Sequence, residues 1–291
     1  MSKVILYQIS PSFYSQIARL ALVEKQVPWK EHLINIGPPL DNYKPWYMRI
    51  NPRGVVPTLE HNGEYITDSF RIIRYIDEHF DGPSLIPEDP ALKAEMDDWL
   101  EILDAFPTRE FSYGSRFDGT AGKWISRLQS FSYKMRRKAL RKYKKSHPDL
   151  AEHYEARLQD IDEWEKTCAN AIEMDKIYEQ MRALLERLDA ALEGKEWLVG
   201  ESYTLADLVW TAFFARFKMF GRAHMWDNLE RVKTYFQRLE ARPGFQKADI
   251  WLKVQPKLMF RIMAPFVLSR LAAATLVLTA IVGASWYYWP G

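Results

Sequence analysis

Two places in the chain set hydroxyls and acids where a helix begins. Ser10-Pro11-Ser12 is a turn followed by Ile17, Leu20, Ala21 and Val23 at helical spacing, up to Glu24-Lys25. Asp68-Ser69 opens a second helix, with Ile72, Ile73, Tyr75 and Ile76 as its inner face. First-turn amides have no partner inside their own helix, and the dipole is positive there, so such an end holds anions. The same residue types cap helices without binding anything, and the two roles are compatible. Little else competes for chemistry. The six histidines (32, 61, 79, 147, 153 and 224) are scattered, and neither a metal cluster nor a nucleophile triad stands out. The single cysteine, Cys168, excludes an intramolecular disulfide and any cysteine-rich metal site, and suits a reducing compartment. Nothing near it marks a depressed thiol pKa. Thr204 and Asp207 have capping-box spacing and read as structural, and Trp197, Phe213, Phe214 and Phe217 read as core.

These helix starts need a scaffold. Over residues 1–81, KVILYQI is a short apolar strand, Trp29 to Ile36 is strand-like, and Pro38-Pro39 breaks it. VVPTLEHNGEYIT reads as two strands joined across His61-Asn62-Gly63, an Asn-Gly hairpin. The order β-α-β, connection, β-β-α predicts a thioredoxin-like half, too small to cover its own core. Residues 82–90, with Gly82-Pro83-Ser84 and Pro87-Glu88-Asp89-Pro90, read as a linker. Residues 91–254 read as all-helical. Helices are expected at Ala91–Leu103, Met174–Leu192, Thr204–Phe217 and Asn228–Ala241, the last stopped by Arg242-Pro243-Gly244.

Charge is nearly balanced, at a formal +2 over 291 residues. It clusters inside an irregular stretch, about 114–171: Lys134 to Lys145 carries eight basic residues in twelve. That run suits anionic lipid headgroups, at about 1 kcal/mol per residue near the surface. It equally suits pairing with the acidic run Asp160–Glu165. The neighbouring aromatics show no stacking arrangement for nucleic acid, which is not expected as a partner. Residues 271–289, LAAATLVLTAIVGASWYYW, carry no charge. As a helix they would span about 28 Å, the thickness of a bilayer core. Lys253, Lys257, Arg261 and Arg270 precede them and Trp286 to Trp289 close them. The pattern predicts a single-pass membrane anchor over 255–291, with the soluble domain facing the cytoplasm. The start, MSKVILYQIS, has too short an apolar run for a signal peptide.

Three motifs in order resemble the glutathione S-transferase superfamily: LYQISPSFYSQIARLALVEK, INPRGVVPTL and GESYTLADLVW. KPWYMRINPRGVVPTL, HPDLAEHYEARL, FKMFGRAHMW and the apolar tail are most similar to the tail-anchored ganglioside-induced differentiation-associated protein 1 type. INPRG and the acidic-capped helix after it resemble the bacterial β-etherase-type transferases more distantly. The resemblance implies a transferase fold with a helical insertion, glutathione as co-substrate and no metal. It implies a cis bond at Val56-Pro57, presenting the Val56 backbone to the peptide, and Asp68 and Ser69 at its γ-glutamyl end. Ser12 falls at the position of the thiolate-stabilising hydroxyl, with Ser15 as the alternative and Tyr14 behind it. The zeta-class serine pair and following cysteine are here Ser12-Phe13-Tyr14-Ser15, a departure that puts the donor in question. The implied activity is conjugation or reductive cleavage of an apolar, hydrophobic small-molecule electrophile. The alternative is a non-catalytic membrane-surface adaptor or remodelling module. A homodimer is the family expectation, which the insertion would obstruct.

Overall fold

The structure, a computed structural model, describes residues 3–114, 119–253 and 255. Along β1 (Val4–Gln8), Val4 and Leu6 join the main core beneath α1 (Phe13–Glu24) and α3 (Ser69–His79). Ile5 and Tyr7 turn to the opposite face, with Ile34, Tyr47 and Val56. β2 (Lys30–Leu33) runs parallel to β1, β3 (Thr58–His61) antiparallel to it, and β4 (Glu64–Thr67) pairs with β3, in the order β2-β1-β3-β4. Asn62 and Gly63 take φ values of 52° and 92°, the primed turn that an Asn-Gly pair predicts. The segment expected only as a connection contains α2 (Pro45–Ile50). Tyr47 of α2 donates its hydroxyl to Val55 O at 2.7 Å, and Asn51 Nδ2 donates to the same oxygen at 2.9 Å. These bonds fix the loop leading to Val56-Pro57.

The helical half comprises α4 (Pro90–Ala105), α5 (Thr108–Tyr113), α6 (Gly119–Ser146), α7 (Ala151–Ala169), α8 (Ala171–Ala191), α9 (Leu205–Met219), α10 (Glu230–Ala241) and α11 (Pro243–Lys247). α9 is buried from Leu205 to Phe217 and packs on α1. Its start is pinned by Asp207, which accepts from Thr204 N at 2.8 Å, Leu198 N at 2.9 Å and Tyr235 Oη at 2.6 Å. This pair does the structural work its spacing predicts. The shorter segment after α11 is strapped back to α1: Arg19 donates to Ala248 O and Asp249 O, both at 2.8 Å, and Gln16 accepts from Trp251 N at 2.8 Å.

The charged stretch between the two regular helical runs is itself a helical hairpin, α6 and α7. It has its own core, in which Tyr133, Leu140, Tyr154, Leu158 and Ile161 close over Leu40, Tyr43 and Met48 of the thioredoxin-like half. Part of the basic run turns inward. Arg136 donates to Tyr43 Oη and Ile36 O, both at 3.0 Å; Arg137 pairs with Asp162 at 2.7 Å and with Glu165; Lys144 pairs with Glu155 at 2.7 Å. Lys134, Lys138, Arg141, Lys142 and Lys145 stay exposed. The expected anchor over 271–289 lies outside the described residues. Among those, no helix is long and apolar enough to cross a membrane.

Candidate functional site

A cavity of about 570 Å³ opens where three structural units meet. The first wall is the loop Pro52 to Pro57 with the start of α3. The second is the turn from Asp104 to Glu110 that joins α4 to α5. The third is the face of α7 carrying His153, Arg157 and Asp160.

Four of the sequence-predicted residues come together here: Val56, Pro57, Asp68 and Ser69 all line the cavity, and the Val56–Pro57 peptide is cis. Asp68 caps α3, its Oδ1 accepting from Phe70 N at 3.0 Å and Arg71 N at 3.3 Å, while Oδ2 receives Arg53 Nη1 at 3.0 Å. Its φ of 76° lies where side-chain-bearing residues are uncommon, aspartate and asparagine being the best tolerated. Such conformations cost about 1–3 kcal/mol and gather at functional sites. Ser69 is buried, and its hydroxyl makes no hydrogen bond among the described residues. The serines at the start of α1 are placed differently. Ser12 is the N-cap, its Oγ accepting from Ser15 N at 3.4 Å, and Ser15 is buried with an unpartnered hydroxyl. Neither lines the cavity; Tyr14 does. Burial pushes the Tyr14 hydroxyl above its ordinary pKa against a hydrogen bond with Thr108, and Asp104 and Glu110 add to the rise. It is therefore a neutral O–H donor at pH 7.

The family models of the glutathione S-transferase N-terminal and C-terminal domains match residues 11–79 and 137–243. This chain belongs to the glutathione S-transferase family. It is 28% identical to the tetrachloro-p-hydroquinone reductive dehalogenase of Sphingobium chlorophenolicum over 250 residues, 86% of this chain and 97% of that protein. It is 26% identical to the human ganglioside-induced differentiation-associated protein 1-like 1 over 274 residues, 84% of this chain and 73% of the other. Among solved structures, the β-etherase LigF from Sphingobium sp. strain SYK-6 superposes with a TM-score of 0.64 at 22% identity, covering 84% of this chain and 98% of that one. That last likeness shows the fold.

In this transferase the sequence pattern missed the second and third walls. Asp160 accepts from Arg109 Nη1 at 2.7 Å and Arg157 Nη1 at 2.5 Å, and Arg109 also holds Glu110 through Nη2 at 2.8 Å. Burial alone would raise the Asp160 carboxyl; Arg157 and Arg109 outweigh it and hold the group below its ordinary pKa. Asp104 goes the other way, raised by burial and then by the nearby charge of Asp68, against Arg53. Two carboxylates near one another beside a helix N-terminus complement a zwitterion: the helix end takes its carboxylate and the acids its ammonium. Arg109 and Asp160 gave no sequence signal of their meeting, because they lie 51 residues apart and come together only through the packing of α5 on α7.

Proposed function

We propose that this chain is a glutathione-dependent transferase acting on a hydrophobic small-molecule electrophile, held at a membrane by its C-terminal segment. The observation that carries the reading is one cavity lined together by Val56, Pro57, Asp68 and Ser69. The γ-glutamyl carboxylate rests on the Ser69 hydroxyl and the first turn of α3, its α-ammonium meets Asp68 and Asp104, and the cysteinyl main chain pairs along Val56 like an added strand. The thiol then lies towards α1. A hydroxyl donor there favours the thiolate, the nucleophilic form. Of Ser12, Ser15 and Tyr14, we favour Tyr14, the one on the cavity wall; Ser12, at the family position, is second.

The thiolate forms a carbon–sulfur bond as the bond from that carbon to its leaving group breaks. The leaving group departs as an anion, and the thiol proton goes to solvent. In a reductive cleavage, a second thiolate attacks the sulfur of the adduct, giving glutathione disulfide, while the released carbon takes up a proton. Relatives named for dehalogenation and ether cleavage support an electrophile with a leaving group on carbon. The charged walls are consistent with an otherwise apolar substrate, since the charges of Arg109, Arg157, Glu110 and Asp160 are paired among themselves.

The anchor over 271–289, a cytoplasm-facing domain, headgroup contacts by the exposed lysines of α6 and a homodimer belong to the same proposal. Calorimetry on the detergent-solubilised full chain tests the site: glutathione binds at or below millimolar concentration, with turnover of a generic aryl halide. No binding at millimolar ligand removes the enzyme reading. For the anchor, the full chain stays in the membrane pellet after alkaline carbonate extraction; release into the supernatant removes it.

A further inference from the structure

Away from the cavity, at the C-terminal end of α9, Arg216 and Arg222 are buried side by side, each only 7% exposed. Their hydrogen bonds go to neutral oxygens. Arg216 donates from Nε to Ser112 Oγ at 3.0 Å and from Nη1 to Pro11 O at 3.3 Å, and Arg222 donates from Nη1 to Phe111 O. Among the described residues neither makes an ion pair with a carboxylate. Aromatic rings enclose them: the Arg216 guanidinium lies 5.1 Å from the Tyr113 ring centre and 4.6 Å from that of Phe220, and Arg222 lies 4.6 Å from Phe111 and 5.4 Å from Tyr178. Cation–π contacts offset part of the cost of burying charge, but they do not neutralise it, and the two cations repel each other.

Buried charges in proteins are paired or ligated. The other arginine buried this deeply, Arg19, is met on all three of its nitrogens, by Ala248 O, Gln8 Oε1, Ser10 O and Asp249 O. Arg216, bonded through two nitrogens, and Arg222, bonded through one, are less completely met. Of their remaining N–H groups none is among the fully buried, unpartnered atoms, and the hydroxyls of Tyr113 and Tyr178 lie within reach of Arg216 and Arg222. Two forked donors side by side in a desolvated aromatic setting suit an oxyanion. The charge count selects which. A carboxylate balances one cation; a phosphate monoester, at about −1.5 to −2, balances both.

We propose that Arg216 and Arg222 form a binding site for a phosphate monoester, separate from the glutathione cavity, which none of Tyr113, Arg216, Phe220 and Arg222 lines. Arg216 also draws the Tyr113 hydroxyl below its ordinary pKa, as expected where the local potential is positive. The phosphate can belong to a soluble metabolite or to a lipid headgroup.

The test uses the full chain and reads thermal unfolding by tryptophan fluorescence. One arm compares inorganic phosphate with chloride at equal ionic strength in a neutral detergent. The other compares vesicles of phosphatidylcholine with vesicles also containing phosphatidic acid. Either ligand at about ten times its dissociation constant should raise Tm by roughly 3–5 °C. A rise with inorganic phosphate supports a soluble source, and a rise with phosphatidic acid alone a headgroup. Arg216→Met and Arg222→Met should abolish that rise while changing the phosphate-free Tm little, since each also removes an unpaired buried charge. No rise in either arm for the unaltered chain overturns the proposal, whatever the variants do, and so does a rise that survives both substitutions.

Discussion

Asp68 has two jobs in the proposed site, and one pair of substitutions separates them. It caps α3 through two amide hydrogen bonds and holds Arg53, and it is assigned the ammonium of glutathione. Asparagine caps a helix as well as aspartate does and tolerates a positive φ equally, so Asp68→Asn keeps the cap and loses the charge. The Arg53 pair is exposed and contributes about 0–1 kcal/mol, so Asp68→Asn should cost no more than about 1 kcal/mol of stability. Asp68→Ala loses the cap as well, a further cost of about 1 kcal/mol. A hydrogen bond to a charged group contributes about 1.5–3 kcal/mol, so loss of the ammonium contact should weaken glutathione binding roughly 30-fold in both variants. Calorimetric titration gives the affinities and urea unfolding the stabilities. A glutathione analogue lacking the α-amino group closes the cycle: it should bind the unaltered chain and Asp68→Asn equally. If Asp68→Asn binds glutathione like the unaltered chain, or loses the analogue in proportion, the ammonium is held elsewhere and Asp68 is only a cap.

Three further outcomes follow from the geometry. Tyr14→Phe should raise the thiol pKa of bound glutathione, read by thiolate absorbance against pH, and lower kcat with little change in affinity; if Ser12→Ala does this and Tyr14→Phe does not, the donor assignment is reversed. Asp160→Asn should lower stability by about 1 kcal/mol at pH 7, because it leaves Arg109 and Arg157 sharing a neutral group. The Asp160 carboxyl has a lowered pKa in the fold, so its contribution is present above the ordinary value of about 3.9 and fades as pH falls through the lower folded value; the two unfolding curves should converge in acid, and a gap that persists there refutes the assignment. Leu140→Ala, in the hairpin's own core, should cost about 2–5 kcal/mol locally and open α6–α7 to proteolysis ahead of global unfolding; protection equal to that of the unaltered chain would show that the hairpin does not depend on this core.

The thioredoxin-like half was legible because its signals are local: alternation along β1, Asn-Gly between β3 and β4, and an acid-serine pair opening α3 each act within a few residues. The same locality explains the residues that were missed. α2 is six residues long, too short for a period to show, although its Tyr47 and the following Asn51 set the loop that presents Val56. Motif matching singles out Ser12, yet Ser12 is the N-cap of α1 with its Oγ engaged by Ser15 N, and it is Tyr14 that reaches the cavity. The third wall was hidden for a different reason. A polar, heavily charged insertion has the composition of a solvated face, and five of the eight basic residues from Lys134 to Lys145 are indeed exposed. What composition does not encode is that Tyr133, Leu140, Tyr154 and Ile161, spread over two helices, share one apolar stripe that fits Leu40, Tyr43 and Met48. Once that stripe docks, the helix period carries Arg157 and Asp160 to the cavity without any signal of their own. The insertion therefore belongs to the site: a change that loosens its docking at Leu140 should alter the fit of the electrophile while leaving the α3 end, and so glutathione affinity, nearly untouched.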